Sequence, residues 1–72
     1  MPNIHSQKYK IMLKKLVEAR NESGMSQTQV AKKLSKPQSY VSKCESGERR
    51  IDVIELTGFA QLYNKTLDHF IE

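Results

Sequence analysis

The chain has 72 residues, with 12 Lys and Arg against 8 Asp and Glu, a formal net charge of +4, 38% hydrophobic residues and one Cys. A chain of this length buries only about 60–65% of its unfolded surface, enough for one small core. The single Cys excludes an internal disulfide and fits a reducing compartment. No apolar run approaches the roughly 18–20 residues of a membrane span, and the N-terminus lacks a signal-peptide apolar region, so a cytoplasmic location is expected. The charge is unevenly spread: residues 1–25 sum to +3, residues 26–50 to +4 and residues 51–72 to −3. A basic front and an acidic tail fit one surface built for phosphates and one kept away from them; an ordinary solvated basic surface accounts for the same numbers.

In chain order, residues 1–6 (MPNIHS) show no periodicity and are expected to be a flexible arm, leaving 7–72 as a single domain. Tyr9, Met12, Leu13, Leu16, Val17 and Ala19 recur at helical spacing, which predicts a first helix over about 7–23, stopped by Gly24 as a left-handed C-terminal cap. Ser26 and Gln29 have the spacing of a capping box, with Met25 and Val30 in the flanking staple positions, so a second helix runs over about 27–34. After a break at Ser35-Lys36-Pro37, the apolar stripe Tyr40, Val41 and Cys44 predicts a third helix over about 37–46. Gln38, Ser39, Ser42 and Lys43 lie between those apolar positions, and each can donate a hydrogen bond or charge to a nucleic acid.

Gly47-Glu48-Arg49-Arg50 reads as a loop. Asp52 and Glu55 form a second capping box with Ile51 and Leu56 as its staple, predicting a fourth helix over about 53–63 that buries Ile54, Leu56, Phe59, Ala60 and Leu62 to varying degrees. Asn64 suits a left-handed cap, and Thr66 caps a last short helix through Leu67, Phe70 and Ile71. With no strand pattern and loops of about two to five residues, the economical fold is an all-α, compact five-helix orthogonal bundle.

Residues 26–50 resemble the helix-turn-helix of the Cro and phage-repressor type, the xenobiotic-response-element-like (XRE) regulators. Gln27 opens the second helix, Ala31 stands at the helix crossing and Val41 fills the buried position of the third helix. The run SYVSKCESGERR is close to the family pattern S-x-V-S-x-x-E-x-G-x-R-x. With Arg20 upstream and the capped helix downstream, the resemblance covers about residues 10–70. It implies a lambda-repressor-like fold and a prokaryotic, sequence-specific transcriptional regulator that binds double-stranded DNA as a dimer on a palindromic operator.

The resemblance also implies roles for individual residues. Gln38, Ser39 and Lys43 are expected at base edges, where a Gln amide can pair with adenine N6 and N7. Gln27, Lys36, Tyr40, Ser42, Ser46, Arg49 and Arg50 are expected along the DNA backbone, Gln27 as a phosphate clamp at a helix N-terminus. For Tyr40, half-buried packing with its hydroxyl at the surface is the rival role. Arg20 and Glu45 fall on inward sides of their helices, and the family commonly joins these positions as a structural ion pair. Leu67, Phe70 and Ile71 are the candidate dimer contacts; capping the core of a monomer is their other reading. Two departures stand out: Ser35 where the family usually has Gly, and Cys44 in place of a branched aliphatic, read as a small core hydrophobe.

No Ser/His/acid or Cys/His pairing, phosphate-cradling Gly loop or carboxylate pair suggests an enzyme. His5, His69 and Cys44 lack metal-ligand spacing, so neither a metal nor another cofactor is expected, nor a small-molecule substrate. The alternative function is an antitoxin or other helical protein-interaction module, working through the acidic fourth and fifth helices on a partner such as a toxin.

Overall fold

A computed structural model describes residues 6–72 as five α-helices: α1 (Gln7–Glu22), α2 (Gln27–Leu34), α3 (Gln38–Ser46), α4 (Val53–Leu62) and α5 (Leu67–Ile71). No strand occurs among the described residues, and His5 with most of the expected arm lies outside them. Ser6, the last residue of that expected arm, is the N-cap of α1: its hydroxyl accepts from the Tyr9 N–H.

Local chemistry sets each boundary. Both capping boxes form: Ser26 Oγ accepts from Gln29 N while Gln29 Oε1 accepts from Ser26 N, and Asp52 with Glu55 does the same for α4. Gly24, Ser35, Gly47 and Asn64 occupy left-handed conformations at or after helix C-termini. Ser35, at φ 58° and ψ 44°, closes α2: its N–H donates to Lys32 O, and Lys36 N donates to Ala31 O at 2.9 Å. Pro37 is the N-cap of α3, its extended backbone placing its carbonyl 3.0 Å from the Tyr40 N–H. Its missing N–H therefore costs the helix nothing.

α2 packs on α3, and α1 spans both α3 and α5, with α4 against α5. The centre is Leu16, Val30, Val41, Cys44, Phe59 and Phe70, each fully enclosed. Tyr9 ties α1 to the α3–α4 loop, its hydroxyl accepting from the Ile51 N–H at 3.0 Å. Gly47 is confined: a Cβ there would lie 3.3 Å from Leu13 Cδ1, at a φ of 88° that side chains rarely adopt.

Two expectations are corrected. Ile54 is 76% exposed, because Leu56, Phe59, Ala60 and Tyr63 define the buried stripe of α4 and Ile54 lies about 200° away from Leu56 at about 100° per residue. Phe70, a candidate dimer contact with core capping as its other reading, is only 1% exposed and belongs to the core. Of its companions, Leu67 is half-buried and Ile71 is 58% exposed.

Candidate nucleic-acid interface

The short turn at Ser35-Lys36-Pro37 holds α3 against α2 while leaving one side of α3 uncovered. Gln38, Ser42, Ser46, Ser39 and Lys43 fall within an arc of about 140° at about 100° per residue. Gln38, Ser39, Lys43 and Ser46 are exposed and Ser42 is half-buried, whereas Val41 and Cys44 on the other side are enclosed. The Ser46 hydroxyl is already engaged, donating to Lys43 O at 3.2 Å. Among the described residues, the Ser39, Lys43 and Arg50 side chains make no hydrogen bond or ion pair, so they are free to meet a ligand.

Along one side of α3, from Gln38 to Glu45 in its last turn, lies a polar cluster. Arg20 Nε donates to Glu45 Oε2 at 2.7 Å and Arg20 Nη2 to Glu45 Oε1 at 3.2 Å, the fork-on-carboxylate arrangement. The two side chains are 14% and 5% exposed. Arg20 Nη1 also donates to Met25 O at 2.9 Å, tying the α1–α2 loop to the same guanidinium. The hydrogen bond to Glu45 raises the Arg20 pKa further, so its charge is permanent. Gln27 Nε2 donates to Glu45 Oε1 at 2.9 Å, and Gln38 Nε2 donates to Gln27 Oε1 at 3.4 Å. Nothing in the residue spacing indicates the Gln27–Glu45 bond, since it depends on how α2 sits over the end of α3.

A second cluster lies on the other side of α3, around Tyr40. Arg49 Nη1 lies 3.0 Å from Glu55 Oε1 and 2.8 Å from Oε2, and the guanidinium sits 4.8 Å from the centre of the Tyr40 ring. Lys36 Nζ lies 5.3 Å from the same centre. Tyr40 is half-buried and nearly parallel to Phe59, with ring centroids 6.2 Å apart. One aromatic ring thus gathers two cations at the edge of the α3 surface. The hydrogen bond from Arg49 holds the Glu55 carboxyl below its ordinary range, and burial pushes the Tyr40 phenol up. Burial likewise pushes the Cys44 thiol up, which makes it a poor nucleophile.

A Helix-turn-helix family profile matches residues 16–70. The structure is also similar to that of an XRE-family like protein from Pseudomonas syringae pv. tomato str. DC3000. That likeness has a TM-score of 0.85 and 40% sequence identity, and covers 93% of this chain and 82% of the other. No curated protein gives a significant match. The chain belongs to the XRE-type helix-turn-helix family, and it is a DNA-binding helix-turn-helix regulator of that class. None of its described helices is long and apolar enough to cross a membrane.

Proposed function

We propose that the chain is a cytoplasmic, sequence-specific regulator of transcription that places α3 in the major groove of a palindromic operator as a twofold dimer. Gln38, Ser39 and Lys43 meet base edges, while Gln27, Lys36, Tyr40, Ser42, Ser46, Arg49 and Arg50 line the phosphates. The observation that carries this reading is the uncovered arc of α3, polar throughout and bordered by the Lys36–Tyr40–Arg49 cluster and Arg50. Arg49, already engaged by Glu55, acts on the backbone through a guanidinium of fixed orientation; Arg50 is the freer phosphate contact.

Dimerisation uses the α1–α5 side, where Ile11 and Ile71 are exposed beside a groove lined also by Lys8 and Phe70. Phe70 supports that surface from beneath. One 72-residue domain makes few contacts, and doubling the half-site multiplies them. Footprinting across the promoter of the chain's own gene, with sedimentation on the same samples, tests both parts. Protection of two half-sites about one helical turn apart by a dimer is the expected result; no protection by folded protein opposes it.

Exposed Val53 and Ile54, side by side at the start of α4, support a second reading in which a protein partner covers them. Salt-insensitive co-purification with an unrelated protein favours that reading; binding to DNA that weakens steeply with salt favours the first.

A further inference from the structure

We propose that Glu45 is a positioning residue for base choice: acting through Gln27, it decides which end of the Gln38 amide faces the DNA groove. The proposal rests on the placement of α3 in the groove.

A carboxylate gripped by a guanidinium offers acceptors only. The Gln27 amide therefore meets Glu45 with its Nε2, at 2.9 Å, and its oxygen must point the other way. That oxygen lies 3.4 Å from Gln38 Nε2, so Gln38 in turn spends one N–H inward. What remains on Gln38 is the carbonyl oxygen and one N–H, side by side. This acceptor–donor pair complements adenine, which offers the N6 amine and N7, and the oxygen alone suits the cytosine N4 amine. Guanine and thymine put a carbonyl oxygen where the Gln38 oxygen would lie.

An isolated glutamine at the start of a groove helix can turn its amide over and read either pattern. Here a turn of Gln38 would set its oxygen against the Gln27 oxygen. Turning Gln27 as well would set that oxygen against the Glu45 carboxylate, which is 5% exposed and fixed by Arg20. Each link thus converts the charge of a half-buried ion pair into a hydrogen-bond polarity at the surface. The second N–H of Gln27 is left over, so the relay is compatible with a phosphate contact by the same residue. Every base pair carries one amino and one keto base in the major groove, so the relay selects the orientation of the pair that Gln38 meets.

The test is selection from randomised duplexes, followed by titration of the selected sites, with wild type, Gln38→Ala, Glu45→Ala and Gln27→Met. Gln38→Ala identifies the pair concerned, as the one position whose preference disappears. Wild type is expected to prefer one orientation of that pair by about tenfold, the discrimination of one good two-point contact. Glu45→Ala removes the oxygen that accepts from both Arg20 Nη2 and Gln27 Nε2, so the Gln27 amide is no longer held in one sense and the preference at that pair falls to within about threefold. Gln27→Met keeps the ion pair and cuts the relay, so the preference at that pair falls to within about threefold while the other positions keep theirs.

An unchanged preference at that pair in folded Gln27→Met or in folded Glu45→Ala overturns the relay. Circular dichroism verifies folding, and Gln27→Met carries the test if Glu45→Ala does not fold. If wild type enriches no duplex, the groove placement of α3 fails and takes the relay with it; that outcome is distinct from a selected site whose preferences the variants leave alone.

Discussion

Glu45 receives three hydrogen bonds, two from Arg20 and one from Gln27, and so joins α1, α2 and α3 at one carboxylate. Removing it leaves the Arg20 guanidinium with only the Met25 carbonyl in a site that is 14% exposed. Glu45→Ala is expected to cost about 2–3 kcal/mol, less than for a fully enclosed pair because Arg20 keeps some access to water. For a domain of this size that lowers the melting temperature by about 10 °C or more; an unchanged melting curve would remove Glu45 from the stability of the fold. Tyr63 is the opposite case. Its hydroxyl is buried with no partner among the described residues, and burial pushes its pKa up. Taking that oxygen away relieves a desolvated polar group, so Tyr63→Phe is expected to be neutral or to stabilise by up to about 1 kcal/mol. A clear loss of stability in a denaturant titration would show that the hydroxyl has a partner after all.

At the scale of elements, the α2–α3 turn is the strained piece. Ser35 holds a left-handed conformation that costs a side-chain-bearing residue about 1–2 kcal/mol and glycine very little. Glycine gives part of that back through its freer unfolded chain, so Ser35→Gly is expected to stabilise by about 0.5–1 kcal/mol. A lower melting temperature would mean that the serine side chain supplies a local bond worth more than the strain. The α3–α4 loop carries a pH-dependent link through Arg49 and Glu55. Because Arg49 depresses the folded-state pKa of Glu55, the stability it contributes is complete above the ordinary glutamate pKa and is lost as pH falls through the lower folded value. The stability difference between wild type and Glu55→Gln should therefore be constant near neutral pH and shrink on acidification. Both side chains are partly exposed, so the effect is modest and weakens with salt. A difference that grows at low pH contradicts this assignment.

The helices were legible in the amino-acid sequence because their signals are local. Ser26 with Gln29, Asp52 with Glu55, and the left-handed Gly24 and Asn64 each act within a few residues of where they stand. The α2 boundaries follow directly from that chemistry. Ile54 was misread because a run of apolar residues, Val53-Ile54 followed by Leu56, hides the phase of the stripe until Phe59 and Tyr63 are seen to pack. The Gln27–Glu45 and Arg49–Glu55 contacts were not legible at all. Each joins different helices or loops, and their geometry is decided by helix crossing angles rather than by spacing along the chain.

At the scale of the whole molecule, charge is the organising feature. Eleven of the 12 Lys and Arg lie before residue 51, whereas the segment containing α4 and α5 sums to −3. In the proposed complex the basic part meets the phosphate backbone, and the acidic part is kept from wrapping around it. If the α3 surface binds duplex DNA in this way, affinity must fall with salt in proportion to the phosphates neutralised. The direct measurement is a titration of the protein against its selected duplex at several salt concentrations, alongside Arg50→Ala. With about six or more phosphate contacts per dimer, binding should weaken by about a thousandfold between about 50 and 200 mM salt. Arg50→Ala should weaken all sequences alike and reduce the slope by about one phosphate per protomer. A salt-independent affinity, or a slope unmoved by Arg50→Ala in folded protein, would contradict the placement of α3 and its flanking cations on DNA.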